Sequence, residues 1–99
     1  MIDLSLISGF DWDEGNARKN EKHGVSMAEA EQVFFNMPLL FFDDILHSQK
    51  EARIHVLGKT DDERTLHITV ALRQSNTVIR VISARHMRRK ERTIHEQGN

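Results

Sequence analysis

Val78 to Arg92 reads VIRVISARHMRRKER, and the parsing of this stretch decides the architecture. Val78, Ile79, Val81 and Ile82 are β-branched and favour a buried strand, which Ser83-Ala84 ends. Arg85, Arg88, Arg89, Lys90 and Arg92 follow, opposed only by Glu91. A strand that passes directly into a basic, helix-compatible segment brings a cluster of cations to one edge of a small sheet, which points to an anionic partner.

Upstream, Arg64 to Arg73 alternates, with Leu66, Ile68, Val70 and Leu72 inward and Thr65, His67, Thr69 and Arg73 outward. Arg53 to Gly58 has the same period, with Ile54 and Val56 on one face and Arg53 and His55 on the other. The turn Lys59–Glu63 (KTDDE) and the tight turn Gln74-Ser75-Asn76 join these strands into an antiparallel meander. Leu39 to Phe42 is a further strand candidate, closing on Asp43-Asp44.

The first third of the chain reads as helical. Phe10-Asp11-Trp12 is a short strand or extended entry, and Asp13 caps a helix from Glu14 to His23 that Gly24 terminates. That helix is polar nearly all round, which core packing does not explain. Ser26-x-x-Glu29 is a capping box opening a second helix, whose Met27, Ala30, Val33, Phe34 and Met37 form a core-facing stripe before Pro38. Two helices, three or four strands and a short basic helix make an α+β chain. The two N-terminal helices are expected to pack on one face of a three- to four-stranded antiparallel sheet, in a single domain spanning residues 1–99. So short a chain leaves the other face open, lined by Arg53, His55, His67, Thr69 and Arg73, with Arg80 joining them if the doubly apolar VIRVIS run adopts that register.

Composition narrows the class. Ninety-nine residues, 38% hydrophobic and 29% charged, form one globular domain. No apolar run has the roughly 20 residues of a membrane span, and the N-terminus lacks the basic region of a secretory signal. The absence of cysteine excludes a disulfide framework and fits a cytoplasmic location. The net charge of −1 conceals a split: residues 1–49 hold nine acids against three bases, and the remainder eleven bases against six acids. The C-terminal half therefore presents either a positive surface or ordinary solvated charge.

The chemistry-bearing residues are few. There is no glycine-rich phosphate loop and no His-Glu-x-x-His helix. Asp43, Asp44 and His47 are candidate metal ligands, but adjacent strand carboxylates point to opposite sides, so turn capping and solubility is the preferred reading and no metal or other cofactor is expected. His55 and His67, on neighbouring strands, are either an acid–base pair or half-exposed sheet residues. His86 and His95 belong to the surface. His47, with Ser48, Glu51 and Arg53 close by, is the densest cluster; it suits phosphodiester cleavage, in which one group deprotonates a 2′-hydroxyl and arginines hold the phosphate.

Three motifs stand in this order: Lys22-His23-Gly24-Val25, then His47-Ser48-x-x-Glu51-x-Arg53, then Ile82-Ser83-Ala84-Arg85. Together with WDEGN near the start, they resemble the BrnT family of type II toxin–antitoxin toxins over about Phe10 to Arg92. The resemblance implies a RelE-like ribonuclease fold and metal-independent cleavage of RNA that halts translation. It also implies neutralisation by a BrnA-like ribbon-helix-helix antitoxin, in a heterotetramer that touches operator DNA only through the antitoxin. On this reading His47 and Glu51 lead as proton-transfer groups, with His67 and His23 behind them. Arg53 and Arg85 stabilise the transition state, and Lys22, Arg73, Arg80, Arg88 and Arg89 grip the RNA. The alternative is a non-catalytic module that binds nucleic acid or retains only antitoxin binding.

Overall fold

The computed structural model describes residues 2–46 and 51–98. Its centre is a five-stranded sheet in the order β1 (Gly9–Asp11), β5 (Val78–His86), β4 (Thr65–Arg73), β3 (Arg53–Lys59), β2 (Leu40–Asp44). β2 to β5 pair antiparallel as consecutive neighbours, whereas β1 pairs with β5 in parallel. The expected sheet of three or four antiparallel strands is therefore corrected to a mixed sheet of five. The cause is Phe10: its ring packs on Phe34 with centroids 5.4 Å apart, and this draws the short entry segment against the free edge of β5.

The helical layer also differs from expectation. α1 (Glu14–Lys22) lies against β5 and ends at Gly24, whose φ of 76° is the left-handed conformation that glycine adopts without a Cβ penalty. α2 (Met27–Gln32) is only six residues long and continues as a 3-10 turn, Val33–Phe35. Its capping box forms as read, with both Ser26–Glu29 bonds at 3.1 Å. Ala30, Val33 and Phe34 are buried, but Met27 and Met37 are exposed. The 3-10 turn winds the chain out of the helical phase, so Met37 cannot continue the stripe.

One apolar core lies between α2 with its 3-10 turn and the sheet, rather than beneath both helices as expected. Leu66, Ile68 and Val70 of β4, Ile54 and Val56 of β3, and Ile79, Val81 and Ala84 of β5 meet Ala30, Val33 and Phe34. Each fully buried valine, leucine, isoleucine or phenylalanine among them contributes about 1.5–3 kcal/mol. Gly58 is where β3 and the 3-10 turn come closest: a Cβ there would lie 2.9 Å from the Val33 Cβ.

The sequence left the register of β5 ambiguous, and a bulge resolves it. Thr69 pairs with Ser83 while the next residue, Val70, pairs with Val81, which leaves Ile82 as the extra residue. Ile79, Val81 and Ala84 consequently face the core, and Arg80, Ser83 and Arg85 face the other side.

That other side is only partly open. α3 (Arg89–Glu96) crosses one end of it, anchored by His95, whose Nε2–H donates to the Pro38 carbonyl at 2.8 Å. His95 is buried, which corrects its expected place on the surface. The segment looked like a polar tail because the contact holding it lies 57 positions away in sequence.

Candidate active site

The outward face is built from cross-strand rows. Asp44, Arg53, Ala71, Arg80 and Asp11 form one row; Phe42, His55, Thr69 and Ser83 the next; Leu40, Leu57, His67 and Arg85 a third. Rows one and three are four residues apart along β3, about 13 Å at the usual strand rise. Those of the residues singled out in the sequence that lie on this face fall into two groups towards its two ends.

At the first end, the Glu51 carboxylate lies 3.1 Å from Arg73 and 3.8 Å from Arg80, and Arg80 also reaches Asp13 at 3.4 Å. Arg53 stands in the same row as Arg80, two strands away. Arg53 and Arg73, expected on the open face, are there, the bulge in β5 brings Arg80 to it, and Glu51, expected only in a loop cluster with His47, reaches the same end. His47, which with Glu51 leads the proton-transfer candidates, lies outside the described residues.

At the second end, the His55 and His67 rings pack with centroids 4.9 Å apart. His55 is held at both nitrogens: Nε2 is 3.0 Å from Asp44 Oδ2, and Nδ1 is 3.1 Å from the Thr69 hydroxyl. With Nε2–H donating to the carboxylate, Nδ1 accepts from Thr69. His67 is more enclosed, and burial, followed by the positive charge of Arg85, pushes its imidazole down to about 4. Its Nδ1 is buried without a hydrogen-bond partner among the described residues. Arg85 donates to both oxygens of Glu91, at 2.8 and 2.9 Å, and this two-point bond is the main reason the Glu91 carboxyl falls to about 2. The Arg88 N–H donates to the same Glu91 Oε1 at 2.8 Å.

Between α3 and the sheet these residues enclose a half-open pocket of about 190 Å³, lined by Phe42, His55, Leu57, His67, Glu91 and Ile94. The remaining candidates lie elsewhere. His23 is exposed beside β5, its Nδ1 3.4 Å from the Ala84 carbonyl, and Lys22 is exposed at the end of α1. Arg88 and Arg89 are exposed where α3 begins. His86 accepts from Arg64, which also binds the Gly24 carbonyl and the Glu29 carboxylate and so ties the α1–α2 junction to the sheet.

Asp44 and Phe42 were missed. Asp44, which its sequence context suggests is a solubilising turn residue, is buried against His55. A period-2 reading of Leu40–Asp44 carries the signal, because it puts Leu40, Phe42 and Asp44 on one face. Ile94, which lines the pocket from α3, gave no signal in a helix otherwise polar. Among the described residues no three His, Asp or Glu side chains converge as a metal-binding set. No helix among them is long and apolar enough to cross a membrane.

The fold is similar to that of a solved protein, the Brucella abortus ribonuclease toxin BrnT, with a TM-score of 0.61 and 19% identity over 82% of this chain and 97% of that one. No curated protein matches. The family model described as "Ribonuclease toxin, BrnT, of type II toxin-antitoxin system" matches residues 12–91, which takes in both ends of the outward face, and the chain therefore belongs to the BrnT family of ribonuclease toxins.

Proposed function

We propose that this chain is an endoribonuclease that cleaves single-stranded RNA at the Glu51 end of the open face, without a metal ion, and thereby halts translation. The observation that carries the reading is the Glu51 carboxylate held between Arg73 and Arg80, in the neighbourhood of Arg53. Glu51 takes the proton of a 2′-hydroxyl, whose oxygen forms a bond to phosphorus as the bond from phosphorus to the 5′-oxygen breaks. An acid, for which His47 is the candidate nearest in sequence, protonates the leaving 5′-oxygen. Arg53, Arg73 and Arg80 hold the phosphate while its charge builds, the role a metal ion plays in other nucleases. Magnitudes argue for this end over the other. A histidine at about 4 is a weak base at neutral pH, and the two guanidinium nitrogens of Arg85 that face Glu91 are taken by it. His67 and Arg85 therefore shape the surface rather than move protons, and His23 has no part in the step.

In this reading a BrnA-like ribbon-helix-helix antitoxin, assembled with the toxin as a heterotetramer, covers the face and supplies the contact to operator DNA. The test uses purified wild type, Glu51→Gln and Arg53→Ala with a labelled RNA in excess EDTA. Wild type should give fragments ending in 2′,3′-cyclic phosphate, and Glu51→Gln should slow the reaction about 10²–10⁴-fold with its circular dichroism unchanged. Intact RNA under every condition, with tight RNA binding, would instead support a non-catalytic binding module.

A further inference from the structure

The pocket beneath α3 is poorly matched to a phosphate. Its carboxylate, Glu91, is ionised, its nearest guanidinium is engaged in a two-point bond, and the rest of its wall is carbon and imidazole. Its volume of about 190 Å³ is below the roughly 300–1,000 Å³ of sites that take a whole ligand, and suits a single planar ring system. Phe42 and Ile94, each 43% exposed, leave apolar surface in water on its two sides. Of the carboxylate in its lining, Glu91 Oε2 accepts from Arg85 and lies 3.9 Å from His67 Nε2, too far for a hydrogen bond. That oxygen keeps acceptor capacity for an N–H group arriving between them.

We infer that this pocket receives one unstacked nucleobase of the RNA strand, stacked on Phe42 and the His55–His67 pair, with an edge N–H donated to Glu91 Oε2. Asp44 and Thr69 act as positioning residues, since they fix the His55 ring at both nitrogens. The inference rests on the ribonuclease reading above. A base in the pocket belongs to a nucleotide flanking the one whose phosphate the arginines hold, because the pocket's two rows lie two and four residues along β3 from the arginine row, about 7 and 13 Å. The pocket then selects where the strand is cut, while the chemistry occurs at the other end of the face.

The experiment follows the Ile94 methyl and histidine ring signals by NMR in the full chain during titration with the four ribonucleoside 5′-monophosphates and with ribose 5-phosphate. Nucleotides should shift both sets of signals and ribose 5-phosphate should not. Phe42→Ala should weaken nucleotide binding about tenfold or more, Phe42→Tyr should restore it, and Ile94→Trp should abolish it by filling the cavity. In cleavage assays Phe42→Ala should blur the choice of cut site, which loss of a merely structural contact would not do. Equal shifts from ribose 5-phosphate, or no weakening in Phe42→Ala, would overturn the pocket. RNA cleavage without base-dependent shifts removes the pocket and leaves the ribonuclease. Base-dependent shifts without cleavage keep the pocket and remove the ribonuclease.

Discussion

His67 shows how one side chain couples folding to proton activity. In the unfolded chain it titrates near 6.5, and in the folded protein burial holds it to about 4. Between these values the unfolded chain binds a proton that the folded one refuses, so the stability His67 contributes is full above pH 6.5 and is lost as pH falls towards 4. The slope approaches about 1.4 kcal/mol per pH unit inside that window. Glu91 adds a second window of the same sign: its contribution is present above about 4.5 and lost as pH falls through about 2. His67→Phe, which keeps a ring beside His55, should flatten the dependence of the urea midpoint on pH between 6.5 and 4. An unchanged slope would assign the effect to another group. At this scale the sequence was only half legible: it placed His55 and His67 on one face, but the burial that makes one of them a weak base depends on α3 lying over it.

At the scale of elements, the decisive contacts are between segments remote in sequence. Gly58 is required in β3 because the Val33–Phe35 turn packs directly on it. Gly58→Ala should cost about 1–3 kcal/mol through overpacking, read as a lower denaturation midpoint, with RNA cleavage per folded molecule unchanged. β4 was fully legible, since its alternation survives from Leu66 to Leu72. β5 was not, because the bulge at Ile82 resets its phase midway. Arg80 and Arg85 are an odd number of residues apart and share a face only through that extra residue. The helix after β5 was read correctly as basic and short. Its docking was invisible, because one buried histidine and a carboxylate–arginine pair carry it.

For the molecule as a whole, the charge split along the chain left open a positive face or ordinary solvated charge. Folding tempers the positive charge, because acids from both halves return to the arginines: Glu51 to Arg73 and Arg80, Asp13 to Arg80, Glu91 to Arg85. If Arg53, Arg73 and Arg80 carry the backbone contacts, the logarithm of the affinity for single-stranded RNA should fall against the logarithm of salt concentration with a slope near −2. A slope steeper than about −4 would mean that the α3 arginines, among them Arg88 and Arg89, grip RNA too. A slope near −2 leaves that helix for the antitoxin.

What the sequence determined by itself was local: strand period, the capping box at Ser26, the glycine stop after α1, and the ordered motifs that mark a BrnT toxin. These follow from backbone sterics and hydrophobic period, which act over a few residues. Tertiary structure alone decided the fifth strand, the bulge that aligns Arg80 with Arg85, and the closing of α3 over His55 and His67. The reason is physical: each depends on the match between surfaces made by segments far apart in the chain, such as Phe10 on Phe34 or His95 on Pro38, and neither partner carries a mark of the other in its own neighbourhood.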